Sequence, residues 1–176
     1  MQHSDIEPRQ FFAAYDSGAE PAVARLPRNP YPGVVVLIEE ADRVLLVRRQ
    51  TGRFLGGRWC LPGGFIEYGE NFLSAGLREV REETGLSVRI DSLLSVVSNF
   101  LAPRLHTLAV VLLAHPLEGG ASPLPGDDAD AVAWHPLSGP LPEMAFEADA
   151  HIISRYGRDR FEGAPVDQRF TRADSE

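Results

Sequence analysis

The sequence predicts an α/β sandwich, and three observations predict it. Runs rich in β-branched and leucine residues recur over residues 33–39, 43–49, 87–100, 106–115 and 132–135. Two other stretches, 71–84 and 147–156, carry apolar residues at helical spacing. The composition, 44% hydrophobic and 24% charged, is that of a soluble globular chain. Strands and long helices that alternate around one core pack as layers, and 176 residues suffice for one ordinary domain but not two.

Residues 1–31 read as an N-terminal extension. Within it Ile6 to Tyr15 suit a short helix whose Phe11, Phe12 and Tyr15 form an aromatic patch, fitted to packing on the domain or on a second copy in a homodimer. A linker rich in proline, glycine and alanine follows from Gly18. Gly33–Glu39 and Arg43–Arg49 then form a hairpin across Glu40-Ala41-Asp42. Arg48 and Arg49 close its second strand, and each is a candidate for bidentate contact with a phosphate or for a surface ion pair. The loop Thr51–Arg58 holds three glycines, with Phe54 and Trp59 as candidates for base stacking or for core packing.

In the helix from Asn71 to Thr84, Leu73, Leu77 and Val80 make a core-facing stripe, Asn71 caps the start and Gly85 the end. Gly76 lies beside the stripe. A glycine inside a helix costs about 1 kcal/mol relative to alanine, so its presence implies close approach of another element. Glu79, Glu82 and Glu83 share a narrow arc on a face turned away from the stripe. Like charges at this spacing repel by about 0.2–0.5 kcal/mol per pair on an open helix, and a divalent cation offsets a larger cost in a cleft. Hard oxygen ligands suit magnesium, which takes further ligands from substrate phosphates. Arg78 adjoins the cluster, and Glu70, in the turn before the helix, suits an ion pair with it. Upstream, Leu61-Pro62-Gly63-Gly64 is a rigid turn ending in two residues without Cβ, open to a metal or a phosphate.

Gly64, Glu70, Arg78-Glu79, Val80, Glu82-Glu83, Gly85 and Leu86 stand at the spacings of the Nudix hydrolase signature, and the chain resembles that family at every defined position. Trp59-Cys60-Leu61-Pro62-Gly63 is similar to its flank, in the branch that cleaves ADP-ribose and NADH. The resemblance covers Pro32 to Tyr156. It implies a mixed central sheet between helices over a domain 32–158, with 159–176 as a polar tail. It also implies magnesium-dependent hydrolysis, with manganese as an alternative ion, of a nucleoside diphosphate linked to a further group. Glu79 and Glu83 would be the principal metal ligands, joined by a carbonyl of Gly63 or Gly64, with Glu82 as a further ligand. Glu82 or Glu79 would accept the proton, while Arg78, Glu70 and Gly85 shape the motif. Pro103 is similar to a proline that marks ADP-ribose hydrolases, whereas the tryptophan motif of NADH-cleaving members is absent near Ser98–Arg104. ADP-ribose or a related dinucleotide or sugar nucleotide is the first expectation. A nucleoside triphosphate, or a nucleotide-sensing module without turnover, is the alternative.

The formal net charge of −8 argues against nucleic acid as a partner. Cys60 is the sole cysteine, which excludes an internal disulfide and the cysteine-based zinc ribbon carried by some relatives, and it suits a buried structural thiol. The polar, acidic first ten residues lack signal-peptide character and no run reaches the roughly 20 apolar residues of a membrane span, so a cytoplasmic setting is expected. After the signature come one or two strands over 87–100, a turn at Leu101–Leu105 and a buried strand over 106–115. The loop 119–131 offers Asp127 and Asp128 as an additional carboxylate or as solvated turn residues. Ile152 and Ile153 face the sheet from the last helix, and Phe146 before it is a candidate base contact.

Overall fold

The computed structural model of the chain describes residues 29–102, 105–120, 122–126 and 128–166. The helix expected over Ile6–Tyr15, the linker as far as residue 28, Pro103 and Asp127 lie outside the described residues. The hairpin forms as β1 (Tyr31–Glu40) and β2 (Arg43–Arg49). Its two-residue turn puts Ala41 and Asp42 at φ 49° and 60°, the left-handed conformation that matches strand twist, and pairs Glu40 with Arg43.

β1 and β2 stay paired only at that end. Where they part, the short strands β3 (Trp59–Cys60) and β4 (Gly63–Phe65) fit between, β3 on β2 and β4 on β1. This insertion brings the glycine turn to the middle of the sheet edge. After helix α1 (Phe72–Thr84), β5 (Val88–Ala102) pairs antiparallel with β6 (Leu105–Pro116), and β6 runs parallel to β1. β7 (Ala129–Pro136) returns to β2, and helix α2 (Glu147–Asp159) follows. The sheet is mixed, ordered β3-β2-β1-β6-β5 with β4 and β7 beside this path. Residues 87–100, expected as one or two strands, fall almost wholly in one strand that runs on through Ala102 with register shifts at three places.

A helix covers each face of the sheet. Val34, Val36 and Ile38 face α1 with Leu45, Leu112 and Ala114, while Leu37, Val44, Leu46 and Val111 meet Ile152, Ile153 and Tyr156 of α2. Covering both faces explains why β1 reads as a continuous apolar run rather than an alternating one. Among the described residues no helix is long and apolar enough to cross a membrane.

Asn71 and Gly85 cap α1 as expected. The Asn71 side chain accepts from the Leu73 and Ser74 amides, both at 2.9 Å, and Gly85 sits at φ 70°. The buried arc of α1 is rotated from the expected stripe. Leu77 is 42% exposed, whereas Ala75, Gly76, Glu79 and Val80 are buried. Gly76 explains the rotation: a Cβ there would stand 3.2–3.4 Å from Leu112, Val36 and Val34, so the helix backbone rests on the sheet on the glycine side. Glu79 therefore turns inward, not away from the core. Part of the expected polar tail is also anchored. Phe161 packs edge-on against Tyr156, and Ala164 exchanges backbone hydrogen bonds of 2.8 and 2.9 Å with Leu93.

Replacing Gly76 with leucine sets a gain of up to about 1 kcal/mol in helix propensity against overpacking worth about 1–3 kcal/mol. Overpacking is expected to win, lowering the melting temperature by several degrees. A variant as stable as the parent would contradict the close approach.

Candidate active site

The Leu61–Gly64 turn is held from three sides. The Leu61 amide donates to Asp149 Oδ2 at 3.0 Å, Pro62 O accepts from the Val36 amide at 2.9 Å, and the Gly63 amide donates to Glu83 Oε2 at 2.9 Å. Backbone crowding requires glycine at position 63, and a side chain at position 64 would displace the Glu79 carboxylate. A Cβ on Gly63 would fall 2.3 Å from Val34 O, and one on Gly64 would fall 2.3 Å from Glu79 Oε1. Two carboxylates of α1 thus rest on the turn, one through a hydrogen bond and one in the room left by a missing side chain.

Arg78 ties this cluster together. Its Nε and Nη2 donate to the two Glu70 oxygens at 2.8 and 2.9 Å, the bidentate fork that suits guanidinium and carboxylate. Nη1 donates to Glu79 at 2.8 Å and Glu82 at 3.2 Å, and Nη2 also reaches Phe65 O at 3.1 Å. Glu70 also accepts from the Glu67 amide at 3.1 Å. The expected Glu70–Arg78 pair is present, and Arg78 additionally holds two of the three glutamates of α1.

Burial pushes the Glu83 carboxyl up to about 8, with the nearby charge of Glu79 adding to the rise and the Gly63 amide opposing it. The two acids therefore form an under-compensated pair. Among the described residues, no three acidic, histidine or cysteine side chains stand together closely enough to hold a metal ion by themselves. The donors that are present, Glu79, Glu83 and the oxygens of a turn without Cβ atoms, fit a hard cation that keeps part of its water shell. Glu82, 53% exposed on its side chain, is held to the side by Arg78.

The other expected contacts divide. Arg49 belongs to the site: its Nε donates to Phe54 O at 2.9 Å, its guanidinium lies 5.6 Å from the Phe146 ring, and its charge acts on both Glu83 and Asp149. Arg48 does not. A register shift separates it from Arg49 in β2, and Arg48 lies 5.9 Å over Trp59, its Nε buried and unpaired. Phe54 meets Arg49 through its carbonyl. Trp59 packs on the α2 side of the core, edge-on to His135 at 4.9 Å. Asp128 forms an exposed ion pair with Arg53 at 3.0 Å, though its charge is felt at Glu83. Cys60 is buried with its pKa raised by that burial, which makes it an inert thiol.

Sequence reasoning missed Asp149. It is 4% exposed, and burial pushes its carboxyl up to about 7 against the opposing Leu61 amide and Arg49. A signal was available: Asp149 stands on the same helical stripe as Ile152, Ile153 and Tyr156, where an acid among apolar residues demands a partner.

Glu83 is raised from 4.5 to about 8, so between these pH values the folded state keeps a proton that the unfolded chain has released. Its contribution to metal-free stability is complete below pH 4.5 and is lost as pH rises through about 8. Glu83→Gln is expected to remove on the order of 2–4 kcal/mol of this decline in urea melts at pH 5 and pH 8 with chelator. Parallel pH profiles for variant and parent would contradict the assignment.

A sequence profile of the NUDIX domain matches residues 28–156. An ADP-ribose pyrophosphatase from Methanocaldococcus jannaschii is 37% identical over 135 residues, 76% of this chain and 77% of the relative. The human 8-oxo-dGDP phosphatase NUDT18 is 36% identical over 78% of this chain, which spans 42% of that longer protein. The crystal structure of a NUDIX hydrolase from Nitrosomonas europaea superposes with a TM-score of 0.65 at 26% identity, covering 80% of this chain and 78% of its own. With the signature residues gathered at the glycine turn of such a sheet, the chain belongs to the Nudix hydrolases and is a pyrophosphohydrolase of nucleoside diphosphate derivatives.

Proposed function

We propose that the chain hydrolyses the diphosphate bond of ADP-ribose or a closely related nucleoside diphosphate sugar, using magnesium. The observation that carries this reading is the packing of Glu79 and Glu83 on the Gly63–Gly64 turn, with Arg78 bonded to Glu79 and the charge of Arg49 acting on Glu83. Similarity to the archaeal ADP-ribose pyrophosphatase over the same region supports the choice of substrate.

Glu79, Glu83 and a carbonyl of Gly63 or Gly64 would hold the cation, and Glu82 would join them on leaving Arg78. Charge neutralisation of the diphosphate and activation of water are the chemistry a divalent ion supplies there. Glu82 or Glu79 accepts the proton of the attacking water. One P–O bond forms to water oxygen, the bond to the bridging oxygen breaks, and the leaving phosphate carries away the electron pair, giving AMP and ribose 5-phosphate. Arg78 holds both candidate bases through its two donated hydrogen bonds until a cation takes its place. Arg49, steadied by Phe54 O, is placed to meet a phosphate oxygen, and Phe146 borders the side where the base or sugar lies. The resemblance to the human 8-oxo-dGDP phosphatase supports a second reading, hydrolysis of an oxidised nucleoside di- or triphosphate.

The test is a product assay with magnesium, and separately manganese, across ADP-ribose, NADH, sugar nucleotides, dinucleoside polyphosphates, 8-oxo-dGDP and nucleoside triphosphates. AMP and ribose 5-phosphate from ADP-ribose are expected, with turnover falling at least about hundredfold in Glu83→Gln. Near-normal turnover in that variant would overturn the metal assignment. Preferential cleavage of 8-oxo-dGDP would replace the substrate, and binding of ADP-ribose without products would leave a sensing module.

A further inference from the structure

Asp149 is a nearly buried carboxylate outside the family signature, and the reaction proposed above gives it no step. Its surroundings show what it does. β3 is paired with β2 on one edge. Along its other edge runs the segment before α2: the Trp59 amide donates to Glu143 O at 2.9 Å, the Ala145 amide donates to Trp59 O at 2.7 Å, and Trp59 pairs in parallel with Met144. Leu61, two residues on, should donate the next rung of this ladder. The opposing chain bends away at Ala145 and enters α2 at Glu147. The Asp149 carboxylate stands in for the missing rung and accepts the Leu61 amide at 3.0 Å, across 88 residues of sequence.

The bond fixes the first peptide of a turn whose later peptides are already fixed. Pro62 O is held by β1 through Val36, Gly63 N is held by α1 through Glu83, and Gly64 lies beneath Glu79. Only the Leu61 anchor comes from α2. Asp149 also lies in the field of Arg49, the cation it shares with Glu83. We propose that Asp149 is a positioning residue: by replacing a strand rung with its side chain, it sets the Leu61–Gly64 turn, and so the backbone oxygens that the turn offers to a divalent cation. This rests on the reading of Glu79, Glu83 and the turn as the cation site. The role asks for a hydrogen-bond acceptor at this point and not for a negative charge.

The experiment is calorimetric titration of the purified full chain with Mn²⁺ alone, for the parent, Asp149→Ala and Asp149→Asn, with circular dichroism to check folding. Protection of the Leu61 amide in hydrogen exchange is read in parallel. Asp149→Ala is expected to weaken Mn²⁺ binding by about 10–100-fold, the usual effect of losing a residue that orients metal ligands, and to expose the Leu61 amide. Asp149→Asn keeps an acceptor and is expected to restore protection and bind within about threefold of the parent. Binding by a folded Asp149→Ala within threefold of the parent overturns the proposal. Equal loss in both variants overturns it too, because the charge rather than the acceptor would then matter. Should Asp149→Ala not fold, Asp149→Asn decides alone, since the proposal requires it to bind Mn²⁺ as the parent does. A parent that binds no Mn²⁺ would instead remove the cation site on which the proposal rests.

Discussion

Two carboxylates, the buried Glu79 and the half-buried Glu83, are packed against a turn that ends in two glycines. Glu79 occupies the volume that a Cβ on Gly64 would need, and Glu83 accepts the amide of Gly63. Carboxylates so close together and so far from water carry a cost, visible in the raised pKa of Glu83. Much of the surrounding fold is arranged to impose that cost. The capped helix α1 delivers both acids from one buried face, β4 holds the turn on β1, and Gly76 lets the helix settle on the sheet so that this face points inward. Arg78 donates to Glu79, and its fork to Glu70 keeps it in place.

This arrangement links the two helices to one chemistry. α1 brings the acids, and α2 brings Asp149 and, through its N-cap Phe146, the ring beside Arg49. Arg49 comes from the end of β2, after the point where β1 and β2 diverge, and lies in the field of carboxylates from both helices. The site therefore forms only when both helices are docked on their opposite faces of the sheet.

Much of this was legible in the sequence because local rules dictated it. Asn71 and Gly85 bound α1, Ala41-Asp42 turn the first hairpin, and the spacing of Glu70 and Arg78 foretold their pairing. What escaped was what apolar periodicity does not see. A stripe drawn through Leu73, Leu77 and Val80 put the glutamates outside, but glycine and alanine on the other flank let the helix approach more closely there, and tertiary packing favoured that flank. Asp149 was hidden for a related reason, since its partner is a backbone amide 88 residues away. The choice between Arg48 and Arg49 depended on how β2 runs through the register shift between them. The docking of Ala164 on Leu93 uses backbone hydrogen bonds, which leave no mark in composition.

The central claim is that the two carboxylates and the glycine turn form a cation site masked by Arg78. The most direct measurement is anomalous diffraction from crystals soaked in manganese. The account requires a peak bounded by Glu79, Glu83 and a carbonyl of Gly63 or Gly64, with Arg78 drawn back from Glu79. A peak elsewhere, or none while the Arg78–Glu79 bond stays intact, would contradict it.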